Sequence, residues 1–179
     1  DSDVIRINSQ SGKGGVNYIL KQSHGISLPD KMREEMSYTA KRVSDQAHQE
    51  LTPEWIYQIF CDNYINVDKK FHITECHFVQ EDGIQAKATV ESEGRTAVIN
   101  GQGNGRLDAV SNAIRSYLDV DYELVDYEQH SLTKGSSSKA VSYVSITKDG
   151  QTFWGVGIDE DIIKSSYQAL EVAVNKILD

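Results

Sequence analysis

Apolar residues recur at two different intervals along this chain, and the interval changes near Lys70. Before that point the spacing is helical. Trp55, Ile56, Ile59, Phe60 and Tyr64 form one apolar face behind Thr52-Pro53-Glu54, where a hydroxyl, a proline and an acid make a good helix start. Asp30 to about Gln49, behind Pro29, carries the charge density of a solvated helix. Val16 to Gln22 is expected to be a short helix. It follows an extended Val4-Ile5-Arg6-Ile7 and a turn that runs from Ser9 to Gly15. Because these elements bury little apolar surface among themselves, residues 1–66 read as a small, mainly helical linker subdomain that docks on a neighbour.

After Lys70 the period is two. Phe71 to Val79, Ile84 to Glu91 and Arg95 to Ile99 alternate as strands, with Glu81-Asp82-Gly83 and Ser92-Glu93-Gly94 as the turns. A helix follows from Arg106 to Leu118, with Leu107, Val110, Ile114 and Tyr117 on one face. The same order then returns: strands over Tyr122 to Leu132, Ala140 to Lys148 and Thr152 to Ile158. A helix from Glu160 to Leu178 closes the chain, its stripe being Ile163, Ser166, Leu170, Ala173 and Ile177. The repetition extends to single residues at a constant shift of fifty-six positions. Gly94 falls on Gly150, Thr96 on Thr152, Gly101 on Gly157, Leu107 on Ile163 and Ala113 on Ala169. Residues 67–179 are therefore expected to be an α+β domain, an internal duplication of a βββα unit with helices lying on sheets.

Composition narrows the function. A formal net charge of -9 argues against a nucleic-acid partner. No apolar run approaches the roughly 18 residues that span a bilayer, and no signal-peptide pattern opens the chain. Cys61 and Cys76 have no paired spacing and read as free thiols of a reducing compartment, so the expected location is cytoplasmic. His72, Cys76 and His77 invite a metal reading, but strict alternation puts His72 and Cys76 on one face and His77 on the other, with no second ligand pair nearby. The start at Asp1 rather than Met reads as a piece of something longer.

Gly101-Gln102-Gly103-Asn104-Gly105-Arg106 reads as a loop from a strand into a helix. Its glycines permit close backbone approach, and free amides at a helix start favour an anion. A dinucleotide fingerprint needs a small third residue, where Arg106 or Asp108 stands here, and a βαβ unit in place of a meander. Gly12-Lys13-Gly14-Gly15 lacks the phosphate-loop spacing and the hydroxyl after its lysine, and reads as a turn. No nucleophile, base and orienting group occur in a catalytic arrangement.

Longer strings carry a resemblance. Arg6 to Val16 (RINSQSGKGGV) with Gly25-Ile26-Ser27-Leu28-Pro29 resembles the linker region of the 2-isopropylmalate synthase family. Gly101 to Ala109, Val125 to His130, and Trp154 to Ile158 followed by Ser165-Ser166 resemble that family's carboxy-terminal regulatory domain. The match covers essentially the whole chain in order. It implies a fragment whose regulatory domains pair as a homodimer and bind L-leucine as feedback inhibitor. The family's catalytic part, a TIM barrel holding a divalent metal and condensing acetyl-CoA with 2-oxoisovalerate, is absent from these residues, so the fragment is expected to hold no cofactor and to be inactive alone. By matched motifs the effector contacts fall on Gly103, Asn104, Gly105, Arg106, Leu107, Asp108, Leu124, Tyr127, Ser131, Ser138 and Ile162, with His130 and Ala140 beside them. Arg106 stands where the family often has proline, and Ser136-Ser137-Ser138-Lys139 replaces an acidic, alanine-rich stretch. Two alternatives stay open: the isoleucine-sensing regulatory domain of citramalate synthase, since one methyl placement is worth only about 1–3 kcal/mol, and a purely structural dimerisation module.

Overall fold

The structure is a computed structural model that describes residues 12–132 and 138–178. The extended segment expected at Val4–Ile7 lies outside the described residues. Two compact units are present, 12–66 with 131, 132 and 138, and 67–130 with 139–178. In the first, α1 (Gly12–His24), α2 (Asp30–Ala47) and α3 (Pro53–Tyr64) pack on one another.

The turn expected over Gly12-Lys13-Gly14-Gly15 is the beginning of α1. Glycine disfavours helix by up to about 1 kcal/mol per residue, but Val16, Ile19 and Leu20 follow at helical spacing and are buried, so packing overrides propensity. The solvated α2 also has an inner face, Met32, Met36 and Ala40, and α3 contributes Ile56, Ile59, Phe60 and Tyr64. These helices therefore bury far more apolar surface than the sequence pattern indicated. Thr52 caps α3 as expected, its hydroxyl accepting from the Trp55 amide at 3.2 Å. The Tyr64 hydroxyl donates to Glu35 at 2.6 Å. His24 stacks on Tyr57 with ring centroids 4.0 Å apart, and burial pushes its imidazole below the ordinary pKa.

The second unit is the duplicated domain. Strands β1 (Phe71–Gln80), β2 (Ile84–Ser92) and β3 (Arg95–Gly103) form one antiparallel sheet in the order β1-β2-β3. Helix α4 (Arg106–Leu118) lies on β2 and β3. The second sheet has the order β4-β5-β6, from β4 (Glu123–Ser131), β5 (Ala140–Lys148) and β6 (Gln151–Asp159), and α5 (Ile162–Asn175) lies on β5 and β6. Two-residue hairpin loops close both meanders at equivalent places. Glu93-Gly94 and Asp149-Gly150 all have positive φ, the conformation whose twist suits a hairpin.

The constant sequence shift has a physical cause at one contact. A Cβ on Gly101 would lie 2.2 Å from the Ala109 carbonyl oxygen and 2.5 Å from the Ala113 amide nitrogen. On Gly157 it would lie 2.1 Å from the Ser165 carbonyl oxygen and 2.9 Å from the Ala169 amide nitrogen. In both halves the helix thus rests directly on strand backbone, which only glycine allows. The stretch expected as a glycine loop is correspondingly shorter. β3 runs through Gly103, and only Asn104 and Gly105 separate it from α4.

The halves are not equal. The outward face of α4 is solvated, whereas α5 is buried nearly all round from Ser165 to Asn175, not along one stripe. It touches α4 and β1 as well as its own sheet, so it is the central helix of the core. Its Glu171 is 1% exposed and its Asn175 7%. Both hold the start of β1, an edge strand. The Ile73 amide donates to Glu171 at 2.6 Å, while Lys69 and His72 lie 3.0 Å from the same carboxylate. The amides of Lys70 and Phe71 donate to Asn175 at 2.7 and 3.0 Å, and Asn175 donates back to the Phe71 carbonyl at 2.7 Å. Edge amides that would be left open are satisfied by side chains. A bulge between Ile73 and Glu75 breaks the alternation of β1, so Cys76 turns inward while His72 stays outside. The shared face expected for His72 and Cys76 does not exist.

Candidate functional site

The end of β3, one face of α4 and the beginning of β4 enclose a cleft of about 530 Å³ within the second unit. Gly103 and Asn104 line it at the end of β3. Asp108, Ser111, Asn112 and Arg115, spaced at three, four and seven residues, present one side of α4 to it. Glu123 and Leu124 form the opposite wall.

Each wall is fixed by its neighbours. The Ser111 hydroxyl, buried, is 2.9 Å from the Tyr122 hydroxyl, and Asn112 donates to the Gln102 carbonyl at 2.7 Å. The Arg115 guanidinium lies over the Tyr122 ring, 5.6 Å from its centroid, and 4.0 Å from the Asp121 carboxylate. Burial pushes the Tyr122 hydroxyl up to about 12, so it stays a neutral donor. The cleft therefore offers one guanidinium, two carboxylates on Asp108 and Glu123, neutral polar groups, and the aliphatic Leu124. Such a lining suits a small ligand carrying both signs of charge.

The helix start beside the cleft differs from its counterpart. Asp161 caps α5, accepting from the amides of Ile163 at 2.8 Å and Lys164 at 3.2 Å. Fifty-six positions earlier stands Gly105, extended and without any side-chain cap, so the first amides of α4 receive no acceptor from their own cap residue.

The residues expected from sequence are distributed as follows. Gly103, Asn104, Asp108 and Leu124 meet at the cleft. Gly105 is the cap of α4, Arg106 lies over the Phe78 ring at 6.0 Å, and Leu107 is turned into the core. Tyr127, on the outer side of β4 with Val125, is 42% exposed and donates to Gln129 at 2.6 Å. Ile162 begins α5 and is also exposed. Ser131 ends β4, Ser138 precedes β5, and both are exposed. His130 reaches the Tyr143 hydroxyl at 2.7 Å, and Ala140 is buried at the first position of β5.

Ser111, Asn112, Arg115 and Glu123 line the cleft without having been expected from the sequence. The first three become visible once Asp108 is followed along its helix face. Glu123 lies beside the matched Leu124 at the start of β4. Among the described residues no three His, Cys, Asp or Glu side chains are placed to hold a metal ion. No helix of the described residues is long and apolar enough to cross a membrane.

Two βββα halves sharing one core define an internally duplicated α+β domain. Residues 50–178 match the LeuA allosteric (dimerisation) domain family, and the chain belongs to it. It is 45% identical over 187 residues to the 2-isopropylmalate synthase of Helicobacter hepaticus, covering 99% of this chain and 34% of that protein. It is 46% identical over 179 residues to that of Desulfitobacterium hafniense, covering 99% and 32%. Against the enzyme of Rhizobium meliloti the identity is 35% over 181 residues, covering 98% and 32%. The chain thus spans about a third of the length of the curated relatives it matches, in keeping with the resemblance carried by its motifs.

Proposed function

We propose that this chain is the effector-sensing part of a 2-isopropylmalate synthase: it binds L-leucine, pairs as a homodimer, and transmits feedback inhibition to the condensation of acetyl-CoA with 2-oxoisovalerate. That chemistry belongs to a metal-dependent barrel elsewhere in the full cytoplasmic enzyme, and this chain alone has no acyl-transfer activity. The carrying observation is the convergence of Gly103, Asn104, Asp108 and Leu124 on one cleft of about 530 Å³. Its size lies within the usual range for small-ligand sites, about 300–1,000 Å³. A free amino acid brings a carboxylate, an ammonium and an apolar tail, and the lining has a partner for each. The uncapped amides of α4 and the Arg115 guanidinium favour the carboxylate, Asp108 and Glu123 the ammonium, and Leu124 the branched tail.

The exposed Val125, Tyr127 and Ile162 supply apolar surface for a second copy. An effector that favours one arrangement of the pair by about 1–3 kcal/mol is enough to regulate the enzyme strongly. Isothermal titration of the purified chain tests this reading. Leucine should give saturable heat, and light scattering should report a dimer. No heat with leucine overturns the assignment; heat with isoleucine alone transfers it to an isoleucine-sensing citramalate synthase domain.

A further inference from the structure

The helical unit has a cleft of its own, of about 540 Å³, between α1 and the start of α2. Its shape follows from the way α1 ends. Gly25, at a φ of 71°, turns the chain out of the helix, and the amides of Gly25 and Ile26 donate to the Lys21 and Leu20 carbonyls at 3.0 and 3.1 Å. The short connection that follows supplies the base of the cleft through Ile26 and Leu28, both buried. Asn17, Tyr18 and Lys21, three and four residues apart, present one side of α1 to it, and Asp30 and Arg33 belong to the start of α2. Asn17 donates to the Ser37 hydroxyl at 3.4 Å, and Arg33 Nε to the Leu28 carbonyl at 3.1 Å, so both helices and the connection are tied to one another.

We propose that this cleft is a separate binding site, for a small organic monocarboxylate with an apolar body and no ammonium group. Three observations select that class. The lining sets two cations, Lys21 and Arg33, against one acid, Asp30, so a single negative charge on the ligand balances it. Those cations have donors to give. Arg33 meets Asp30 at 3.1 Å, but the Asp30 side chain is 91% exposed, and an ion pair of that kind holds weakly. Among the described residues Lys21 has no ion pair at all. The apolar part of a ligand finds the aliphatic base of Ile26 and Leu28 and the ring of Tyr18, itself 54% exposed. An ammonium group would face Lys21 and would have to compete with Arg33 for Asp30, so a free amino acid is disfavoured. The cleft on α4, with two carboxylates to one guanidinium, has the opposite balance. The proposal stands on the helical unit alone and does not depend on the sensor reading.

The test is an amide-resolved NMR titration of the whole chain with isocaproate, which is leucine without its ammonium group, and with isocaproamide, which keeps the body and loses the charge. Isocaproate should move the amides of Tyr18, Ser27 and Arg33 in a saturable way. Isocaproamide should bind at the same place about 10-fold more weakly, the size of a lost hydrogen bond to a charged group. Arg33→Gln and Lys21→Gln should each weaken isocaproate by about 10-fold and change isocaproamide by no more than a few-fold. Equal affinities for acid and amide, or two folded variants that bind isocaproate as tightly as the unaltered chain, overturn the charge recognition. Leucine moving the same amides as readily as isocaproate overturns the exclusion of the ammonium group. Shifts confined to α4 and β4, or no shifts at saturating isocaproate, overturn the site itself and leave the sensor reading untouched.

Discussion

Replacing Glu171 by Ala and by Gln separates what its charge contributes from what its oxygen contributes. The carboxylate accepts the Ile73 amide at 2.6 Å and faces Lys69 and His72 at 3.0 Å, while the side chain itself is 1% exposed. Lys69 is 32% exposed and His72 47%, so both side chains can turn to water, and their contacts with the carboxylate are worth at most about 1 kcal/mol each. Ile73 is buried, and its amide is left without an acceptor, at about 1–3 kcal/mol. The emptied space between α5 and β1 adds a cavity cost in proportion to its volume. Glu171→Ala should therefore cost about 3–5 kcal/mol. Glu171→Gln keeps an oxygen for the Ile73 amide and should cost about 1 kcal/mol. Urea unfolding read from the buried Trp154, in a Trp55→Phe background, follows the duplicated domain separately from the helical unit. If Glu171→Ala and Glu171→Gln unfold at the same urea concentration, the amide is not what Glu171 holds, and the account of the α5–β1 seam is wrong.

Gly101→Ala and Gly157→Ala each drive a Cβ against helix backbone at 2.2 and 2.1 Å, so each should destabilise by about 1–3 kcal/mol or more, measured by the same unfolding assay. Equal losses are expected, because the two contacts are copies of each other. Tyr122 titrates near 10.0 when unfolded and about 12 when folded, so above pH 10 the unfolded chain sheds a proton that the folded chain retains. Stability should be unaffected by this group below pH 10 and fall by roughly 1.4 kcal/mol per unit as pH rises from 10 to 12, and Tyr122→Phe should make the fall shallower.

What was legible in the sequence followed from period and from turn chemistry. Arg106–Leu118 as a helix and Ala140–Lys148 as a strand were readable because alternation, punctuation and duplication agreed there. The beginning of α1 was not. Gly12 to Gly15 have turn propensity, and their helix depends on packing partners in α2 and α3 that local sequence does not reveal. The burial of α5 on nearly all sides was hidden for a similar reason. Glu171 interrupts Ala169-Leu170-Glu171-Val172-Ala173-Val174, and a carboxylate in an apolar run announces a buried partner without naming it. The bulge in β1 reversed the face of Cys76 relative to His72, because register irregularities depend on the neighbouring strand. Of the candidate site, the glycine segment and Leu124 came from motifs. Arg115 and Ser111 required knowledge of which face of α4 remains open, and that is decided by the unequal packing of the two helices.

The most direct test is a crystal of this chain grown or soaked with L-leucine. Leucine is predicted to occupy the cleft between α4 and the start of β4, its carboxylate at Arg115 and its tail against Leu124. Leucine bound at another surface of the domain, or no leucine at saturating concentration, would contradict the account.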